Sequence, residues 1–482
     1  MADRPSPSLL KRVAAIFPHA ASAGVAAKVH RLIELLVASD EIATGAIARA
    51  RGSSHPVSPR GGQAQLAFMV YWIWHKPVRF HSALEAALQA APAAVRELWA
   101  VVEDEVRANH PSAIEEPDYG FAERQPCLVA PDGTIIGTSR YEDMDPGWIE
   151  APVNWLWNVI HPGRIAPFRP DDAGAVPYQG PLRSGAGTVR IALLGDWGTG
   201  SFNAGGYDPA IDVLETIQKL EPDYLIHLGD VYYAGSAGAS GEEHDNFLKW
   251  WPKMPAERSF MLNSNHEMYG AADGYFNVAL GRGRLSATPF SHQNGFSYFA
   301  LSDGTLAVVG LDAAYFDPST MYLRGGLGSR ARDPQYDFLQ QIADRSERLI
   351  LLTHQAPMSL DGARLQELWT DVASVVVPTS RITHWYWGHE HAGIVYGKRS
   401  AIGRKGVCAG CAGHGAIPIG LPSAPSPASE VVEWRAHTAV GGDAQPCRVR
   451  NGFAILTISA GKVREAFYDA RKLDPAYVRD CV

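Results

Sequence analysis

Cysteine is scarce in this chain, which has five cysteines among 482 residues. An odd and unevenly spread set does not suit the disulfide framework of a secreted protein, and it fits a reducing compartment better. Nothing at the N-terminus resembles a signal peptide, because charged residues and prolines interrupt every apolar run there. We therefore predict a cytoplasmic protein.

Long hydrophobic runs are also missing. The longest, Leu66–Trp74, has nine residues, whereas a helix that spans a bilayer needs about 20. No transmembrane segment and no membrane partner are predicted. The net charge of −8 disfavours a nucleic-acid partner. The glycine-rich stretches lack the Gly-Lys-Ser/Thr of a phosphate-binding P-loop, so that motif is excluded.

The length of the chain predicts more than one domain. Apolar residues at helical spacing, such as Val25, Val29 and Leu32, fill its first part, and Asp132-Gly133 between two short apolar runs predicts a β-hairpin. Apolar strands then alternate with helical segments, as in an α/β domain. We predict a mainly helical N-terminal domain at residues 1–110 and an extended connector with the β-hairpin at residues 111–186. An α/β domain follows at residues 187–482, with a surface insertion at about 420–448.

Polar side chains of metal-binding type follow five predicted strands of the α/β domain. They are Asp196, Asp230, Asn265, His354, His389 and His391. Strand ends in such a domain converge on one edge of the sheet. Carboxylate, amide and imidazole groups without a thiolate suit divalent or trivalent first-row metals. These six side chains are more ligands than one metal ion requires. Two adjacent ions that share one carboxylate ligand would account for them, and enzymes use such a pair of ions for nucleophilic displacement at phosphorus.

In order and spacing, these motifs resemble the calcineurin-like metallophosphoesterases over roughly residues 188–415. That family's motifs run Asp-x-His, Gly-Asp-x-x-Asp, Gly-Asn-His-Asp/Glu, His and Gly-His-x-His. The resemblance implies an α/β fold of the metallophosphoesterase type, a β-sandwich flanked by helices, here preceded by the helical domain.

Two departures from the family pattern resemble one branch of it, the purple acid phosphatases. Gly198 stands where the family has its first histidine, and Tyr233 stands third after Asp230. A phenolate there would replace the lost donor, and phenolate favours a ferric ion. Tyr232 is the alternative donor, and the spacing of the family motif favours Tyr233.

The resemblance also implies a set of roles. His266 would assist the leaving group, and Glu267 would orient its neighbours. The reaction would be hydrolysis of a small-molecule phosphomonoester through attack of a metal-bound hydroxide. The implied ligands are Asp196, Asp230, Tyr233 and His391 for Fe(III), and Asp230, Asn265, His354 and His389 for Fe(II), Zn(II) or Mn(II).

Other interpretations stay open. A phosphodiesterase or nucleotide hydrolase would use the same metal site. A protein of another class, a non-catalytic binding or regulatory protein, would use its N-terminal helical domain. We interpret His384 as a core histidine with satisfied hydrogen bonds. For Cys408, Cys411 and His414 we favour a glycine-rich turn over a zinc site, because a second pair of ligands is missing.

Overall fold

The computed structural model describes most of the chain. The described residues are 5–17, 22–50, 69–70, 73, 78–109, 128–129, 135–137, 139–183, 187–204, 206–238, 240–282, 287–421, 429–441 and 448–481, without the side chains of 38–50, 109, 128–129 and 135–136. The chain divides into two compact units, residues 1–165 with 420–423 and residues 166–419 with 424–482.

Helices build the first unit. They are α1 Pro7–Ile16, α2 Ser22–Ala50, α3 Val78–Gln89, α4 Ala93–Asn109 and α5 Glu150–Ile160. The predicted apolar faces are buried, since Val29 and Leu32 of α2 and Val102 of α4 are fully inaccessible. The prediction of a helical N-terminal region is confirmed. Among the helices in the described ranges, none has both the length and the apolar character needed to cross a bilayer.

Helix α5 lies where an extended connector was predicted, and that prediction is wrong for this segment. Pro152 sits in the first turn of α5, where a missing N–H is tolerated, and Pro162 follows its end. These prolines therefore frame the helix instead of breaking it, and Trp155 and Leu156 are buried. Before α5, strands β1 Leu128–Val129 and β2 Ile135–Ile136 pair antiparallel, while the predicted turn at Asp132-Gly133 lies outside the described residues.

Two mixed β-sheets, of six and eight strands, form the centre of the second unit. In spatial order the six strands are β16 Tyr477–Cys481, β15 Lys462–Asp469, β14 Gly452–Ser459, β4 Thr188–Leu194, β5 Tyr224–His227 and β6 Ser259–Met261. The eight are β13 Val432–Arg435, β11 Gly393–Tyr396, β12 Cys408–Ala412, β10 Ile382–Trp387, β9 Arg348–Thr353, β8 Leu306–Gly310, β7 Phe299–Ser302 and β3 Gln179–Pro181. Neighbours run parallel from β4 to β6 and from β8 through β9 and β10 to β12.

The two sheets pack face to face. One apolar cluster takes side chains from both, including Ile191 and Ile226 of the six-stranded sheet and Val308 and Leu352 of the eight-stranded sheet, all fully buried. The helices of this unit are α6 Pro209–Leu220, α7 Asn265–Tyr269, α8 Gln335–Arg345 and α9 Glu367–Ala373. This confirms the predicted α/β class and the β-sandwich flanked by helices.

Leu352→Ala tests the assignment of the core. The side chain is fully buried between the sheets, so its truncation should lower the free energy of unfolding by about 2–5 kcal/mol, through lost burial and a residual cavity. Urea unfolding followed by tryptophan fluorescence measures the change. Leu473→Ala is the matched control, because Leu473 is 55% exposed and its truncation should change the free energy by less than about 0.5 kcal/mol. Equal effects would contradict the described core.

Candidate metal centre

The predicted metal-binding residues all lie just beyond the carboxyl ends of parallel strands. The six-stranded sheet contributes three of these strands and the eight-stranded sheet two. Because the two sheets pack face to face, the loops after these strands meet at one end of the sandwich. The placements are Asp196 after β4, Asp230 after β5, Asn265 after β6, His354 after β9, and His389 and His391 after β10.

Four of these positions have a left-handed backbone. The φ angles are 57° at Asp196, 80° at Asp230, 66° at His389 and 42° at His391. Side chains other than glycine rarely adopt this conformation, and such residues concentrate at functional sites. The backbone itself therefore marks this loop cluster as a site.

A first group of donor atoms surrounds Asp196. His391 Nε2 lies 3.4 Å from Asp196 Oδ1. The hydroxyl of Tyr232 lies 3.1 Å from Asp196 Oδ1, 2.9 Å from Asp230 Oδ2 and 3.1 Å from His391 Nε2. Two carboxylates, an imidazole and a phenol thus converge, and we refer to these four residues as the phenol group.

The phenol comes from Tyr232, which corrects the prediction of Tyr233. The family spacing counts positions after Asp230 and does not fix where two adjacent tyrosines point. In the structure, Val231 pairs with Gly198 in an isolated bridge, the chain then turns, and the Tyr232 hydroxyl lies in the phenol group. The backbone carbonyl of Tyr233 accepts a hydrogen bond from His266 Nδ1 at 2.6 Å.

A second group of donor atoms surrounds Asn265. Its Oδ1 lies 3.0 Å from His354 Nε2 and 3.1 Å from His389 Nδ1. His354 Nε2 also lies 3.1 Å from Asp230 Oδ1. The Asn265 amide nitrogen donates to the Tyr269 hydroxyl at 3.1 Å, which orients Oδ1 toward the two imidazoles. We refer to Asp230, Asn265, His354 and His389 as the amide group.

Asp230 belongs to both groups. Its Oδ2 faces Tyr232 and its Oδ1 faces His354. Two ligands at about 2.1 Å from one ion and at a right angle to each other are about 3.0 Å apart. The distances between neighbouring donor atoms given above are 2.9–3.4 Å in the phenol group and 3.0–3.1 Å in the amide group, so neighbouring donors of both groups have the spacing of ligands to one metal ion, with Asp230 between the groups.

The electrostatics of the site also favour cations. Asp196 and Asp230 are buried side by side. Burial and the charge of Asp230 raise the pKa of Asp196 well above its usual value. Burial alone would raise the pKa of Asp230, but the imidazoles, His354 first, hold it well below its usual value. Burial lowers the pKa of His389 to about 3 and that of His391 to about 4, so both rings are neutral with a lone pair available.

Close backbone packing explains the glycine at position 198. A Cβ there would lie 2.6 Å from the Asp230 carbonyl oxygen and 2.6 Å from Val231 Cα. The histidine found at this position in the family therefore has no room in this chain. The Tyr232 hydroxyl supplies a donor to the phenol group. This group therefore has four donor residues although it lacks the family histidine.

His266 lies at the edge of the site. Because its Nδ1 donates to a carbonyl, its Nε2 faces the carboxylates, 3.9 Å from Asp230 Oδ2. That separation is longer than those between neighbouring donor atoms of the two groups. Burial lowers the pKa of His266.

Ser264 is a site residue that the motif analysis did not assign. Its hydroxyl contacts Asp230 Oδ1 and Glu267 Oε2, and it accepts from the His266 amide at 3.0 Å. Glu267 also accepts from the Asp230 amide at 3.3 Å, so it lies where an orienting group is expected. The stretch from Ser264 to Glu267 has the Ser-x-x-Glu pattern of a helix N-terminus, a signal that could have identified Ser264.

The remaining sequence candidates lie elsewhere. Within the described part of the chain, Cys408, Cys411 and His414 do not form one donor cluster. His384 is buried, but its Nε2 has no hydrogen-bond partner among the described residues. The prediction that its hydrogen bonds are satisfied is therefore wrong.

Comparison with known proteins finds a match to a family model over part of the chain. The model of the calcineurin-like phosphoesterase family matches residues 189–393, a range that contains every position of both donor groups. The match supports a metal-dependent phosphoesterase with a dinuclear metal centre. No curated protein matches the chain.

Three solved structures show weak similarity, each over 61% of this chain. GAP50, the anchor in the inner membrane complex of Plasmodium, aligns over 88% of its length with 14% identity and a TM-score of 0.41. A dimetal phosphatase from Danio rerio aligns over 99% of its length with 14% identity and a TM-score of 0.34. A predicted phosphoesterase from Streptococcus pneumoniae TIGR4 aligns over 97% of its length with 8% identity and a TM-score of 0.24.

Gly198→Ala tests the close packing beneath the site. The added Cβ would meet the backbone of Asp230 and Val231, so the free energy of unfolding should fall by about 1–3 kcal/mol. Displacement of Asp230 should also reduce the hydrolysis of p-nitrophenyl phosphate by up to about 100-fold. Gly174→Ala is the control, because the nearest atom to its added Cβ is an exposed side-chain oxygen of Asp172 at 3.3 Å. Wild-type stability and rate in Gly198→Ala would contradict the described packing.

Proposed function

We propose that residues 189–393, which match the model of the calcineurin-like phosphoesterase family, form a phosphomonoesterase of the purple acid phosphatase type. The substrate is a small-molecule phosphate ester. The observation that carries this proposal is the position of Asp230 between two donor groups, one with a phenol and one with an amide oxygen.

The two groups differ in the ion that they suit. The phenol group combines the Tyr232 oxygen with two carboxylates and His391, a hard and anionic set that favours Fe(III). The amide group has one carboxylate, one neutral amide oxygen and two imidazoles, which suit Fe(II), Zn(II) or Mn(II). Bound there, the two ions would supply Lewis acidity and a nucleophile at neutral pH.

The protein residues around the ions position the reaction. His266 faces the carboxylates through Nε2, where it can donate a proton to the leaving oxygen when the ring is protonated. Ser264 and Glu267 hold the Asp230 carboxylate and amide in place. Asp196, Asp230, Asn265 and His354 are at most 1% exposed, so these donor atoms are shielded from bulk solvent.

Two alternatives make different predictions for substrates. A phosphodiesterase or nucleotide hydrolase would use the same donor groups, and it would prefer bis(p-nitrophenyl) phosphate or a nucleotide over p-nitrophenyl phosphate. A non-catalytic binding protein would bind metal without turning over any of the three. The complete donor groups favour an enzyme, because a protein that only docks partners does not require them.

The visible spectrum of the iron-loaded protein tests the phenol group. A ferric ion bound by a phenolate absorbs visible light, so Tyr232→Phe should abolish the band and Tyr233→Phe should leave it unchanged. Both variants remove one hydroxyl from adjacent tyrosines, which makes them matched controls for each other. Loss of the band in Tyr233→Phe alone would overturn the assignment of Tyr232, and its absence from the wild type would overturn the purple acid phosphatase type.

Asn265→Ala tests the amide group. Removal of Oδ1 takes away the atom shared by His354 and His389, so the protein should bind one metal ion per chain fewer than the wild type and lose at least about 100-fold in the rate of phosphomonoester hydrolysis. Metal analysis and steady-state kinetics measure the two effects. Asn277→Ala, which removes a hydrogen bond to Asp273 away from the site, should leave both unchanged. Wild-type turnover in Asn265→Ala would exclude the amide group as a metal site.

A further inference from the structure

A second cluster of donor side chains lies at the other end of the eight-stranded sheet. It consists of His384, Cys408 and Cys481, each of which offers a ligand atom within 4.8 Å of the other two. We refer to these three residues as the thiol cluster. His384 and Cys408 are directly paired on the parallel strands β10 and β12. Cys481 comes from β16, the edge strand of the six-stranded sheet.

The thiol cluster is separate from the phosphoesterase site. His384 lies near the start of β10, whereas His389 lies beyond the end of that strand. Five residues of extended chain span about 16 Å. The two groups of donors therefore occupy opposite ends of the same strand.

The histidine of the cluster has an unused nitrogen. His384 is 3% exposed. Its Nδ1 lies 2.9 Å from Thr383 Oγ1, while its Nε2 has no hydrogen-bond partner among the described residues. A buried polar atom without a partner is costly, and most such atoms in native proteins are paired with protein, water or an ion. A ligand between this ring and the two sulfurs would remove that cost.

The charges around the cluster are compatible with a bound cation. The guanidinium of Arg479 acts electrostatically on all three residues. Its own charge is balanced, because Nη1 donates to Glu433 at 2.9 Å and Nε donates to Glu465. A second guanidinium, that of Arg348, also acts on His384, so the two carboxylates balance two guanidiniums and the surroundings are neutral before any thiol ionises.

The donor chemistry differs from that of the phosphoesterase site. Two sulfurs and one imidazole nitrogen are soft to borderline donors, which select Zn(II) over hard cations. Two thiolates on one tetrahedral zinc ion lie about 3.8 Å apart, a spacing that the observed limit of 4.8 Å accommodates. Cys481 is buried and Cys408 is partly exposed, so a fourth coordination position would open to solvent beside Cys408.

We propose that His384, Cys408 and Cys481 bind one thiophilic divalent cation of the Zn(II) class. The bound ion ties β16, at the edge of the six-stranded sheet, to β10 and β12 of the eight-stranded sheet. The site is structural, and it stands independently of the proposed phosphatase activity. Binding converts both thiols to thiolates and releases their protons.

Titration of the full-length chain with Co(II) tests this site. Cobalt bound to thiolate gives a near-ultraviolet charge-transfer band, and cobalt in the phosphoesterase site does not, because neither donor group there contains sulfur. The wild type should develop this band with one equivalent of Co(II) per chain, and Cys408→Ser and Cys481→Ser should both lose it. His384→Gln keeps both thiols and should weaken Co(II) binding at least about tenfold.

Cys411→Ser is the matched control, because Cys411 is a buried cysteine that lies outside the thiol cluster, with its Sγ 3.4 Å from the Gly388 carbonyl. It should keep the band. Persistence of the band in Cys481→Ser, or its absence from the reduced wild type, would overturn the proposal. A disulfide between Cys408 and Cys481 would also overturn it. Such a disulfide would raise the number of free thiols by two per chain when the wild type is reduced, and it would give no such rise in Cys481→Ser.

Discussion

The candidate site depends on one buried carboxylate with two oxygens that face different partners. Asp230 directs Oδ2 to the phenol group and Oδ1 to the amide group. The other residues of the site support this arrangement: Ser264 contacts the carboxylate, Glu267 accepts from its amide, and the backbone at Gly198 packs against its carbonyl. Asp196 is buried beside it, and two adjacent buried carboxylates are stable only where a proton or positive charge balances them. A pair of cations would provide that charge, and the fold brings the donor groups together from both sheets.

Much of this arrangement could be predicted from the sequence. Asp196, Asp230, Asn265 and His354 follow apolar strands directly, and parallel strands end together, so their convergence follows from the strand pattern. The N-terminal helices followed in the same way from the spacing of apolar residues. These features depend on local periodicity, which a single sequence displays.

The errors arose where local backbone geometry departs from regular structure. Tyr233 was selected by the spacing of the family motif, but after the bridge at Val231 the chain turns and the Tyr232 hydroxyl lies among Asp196, Asp230 and His391. Helix α5 was missed because its prolines suggested a connector. The position of His384 beside Cys481 could not be foreseen, since Cys481 comes from the other sheet, 97 positions along the chain. Contacts of this kind are set by the packing of the sheets and leave no local pattern in the sequence.

The most direct test of a carboxylate shared by two ions is anomalous diffraction from crystals of the metal-loaded protein, measured at the absorption edges of iron and zinc. The account predicts two peaks about 3.5 Å apart, one beside each oxygen of Asp230, with Tyr232 at one peak and Asn265 at the other. A single peak at this site, or a pair in which Asp230 contacts only one ion, would contradict it.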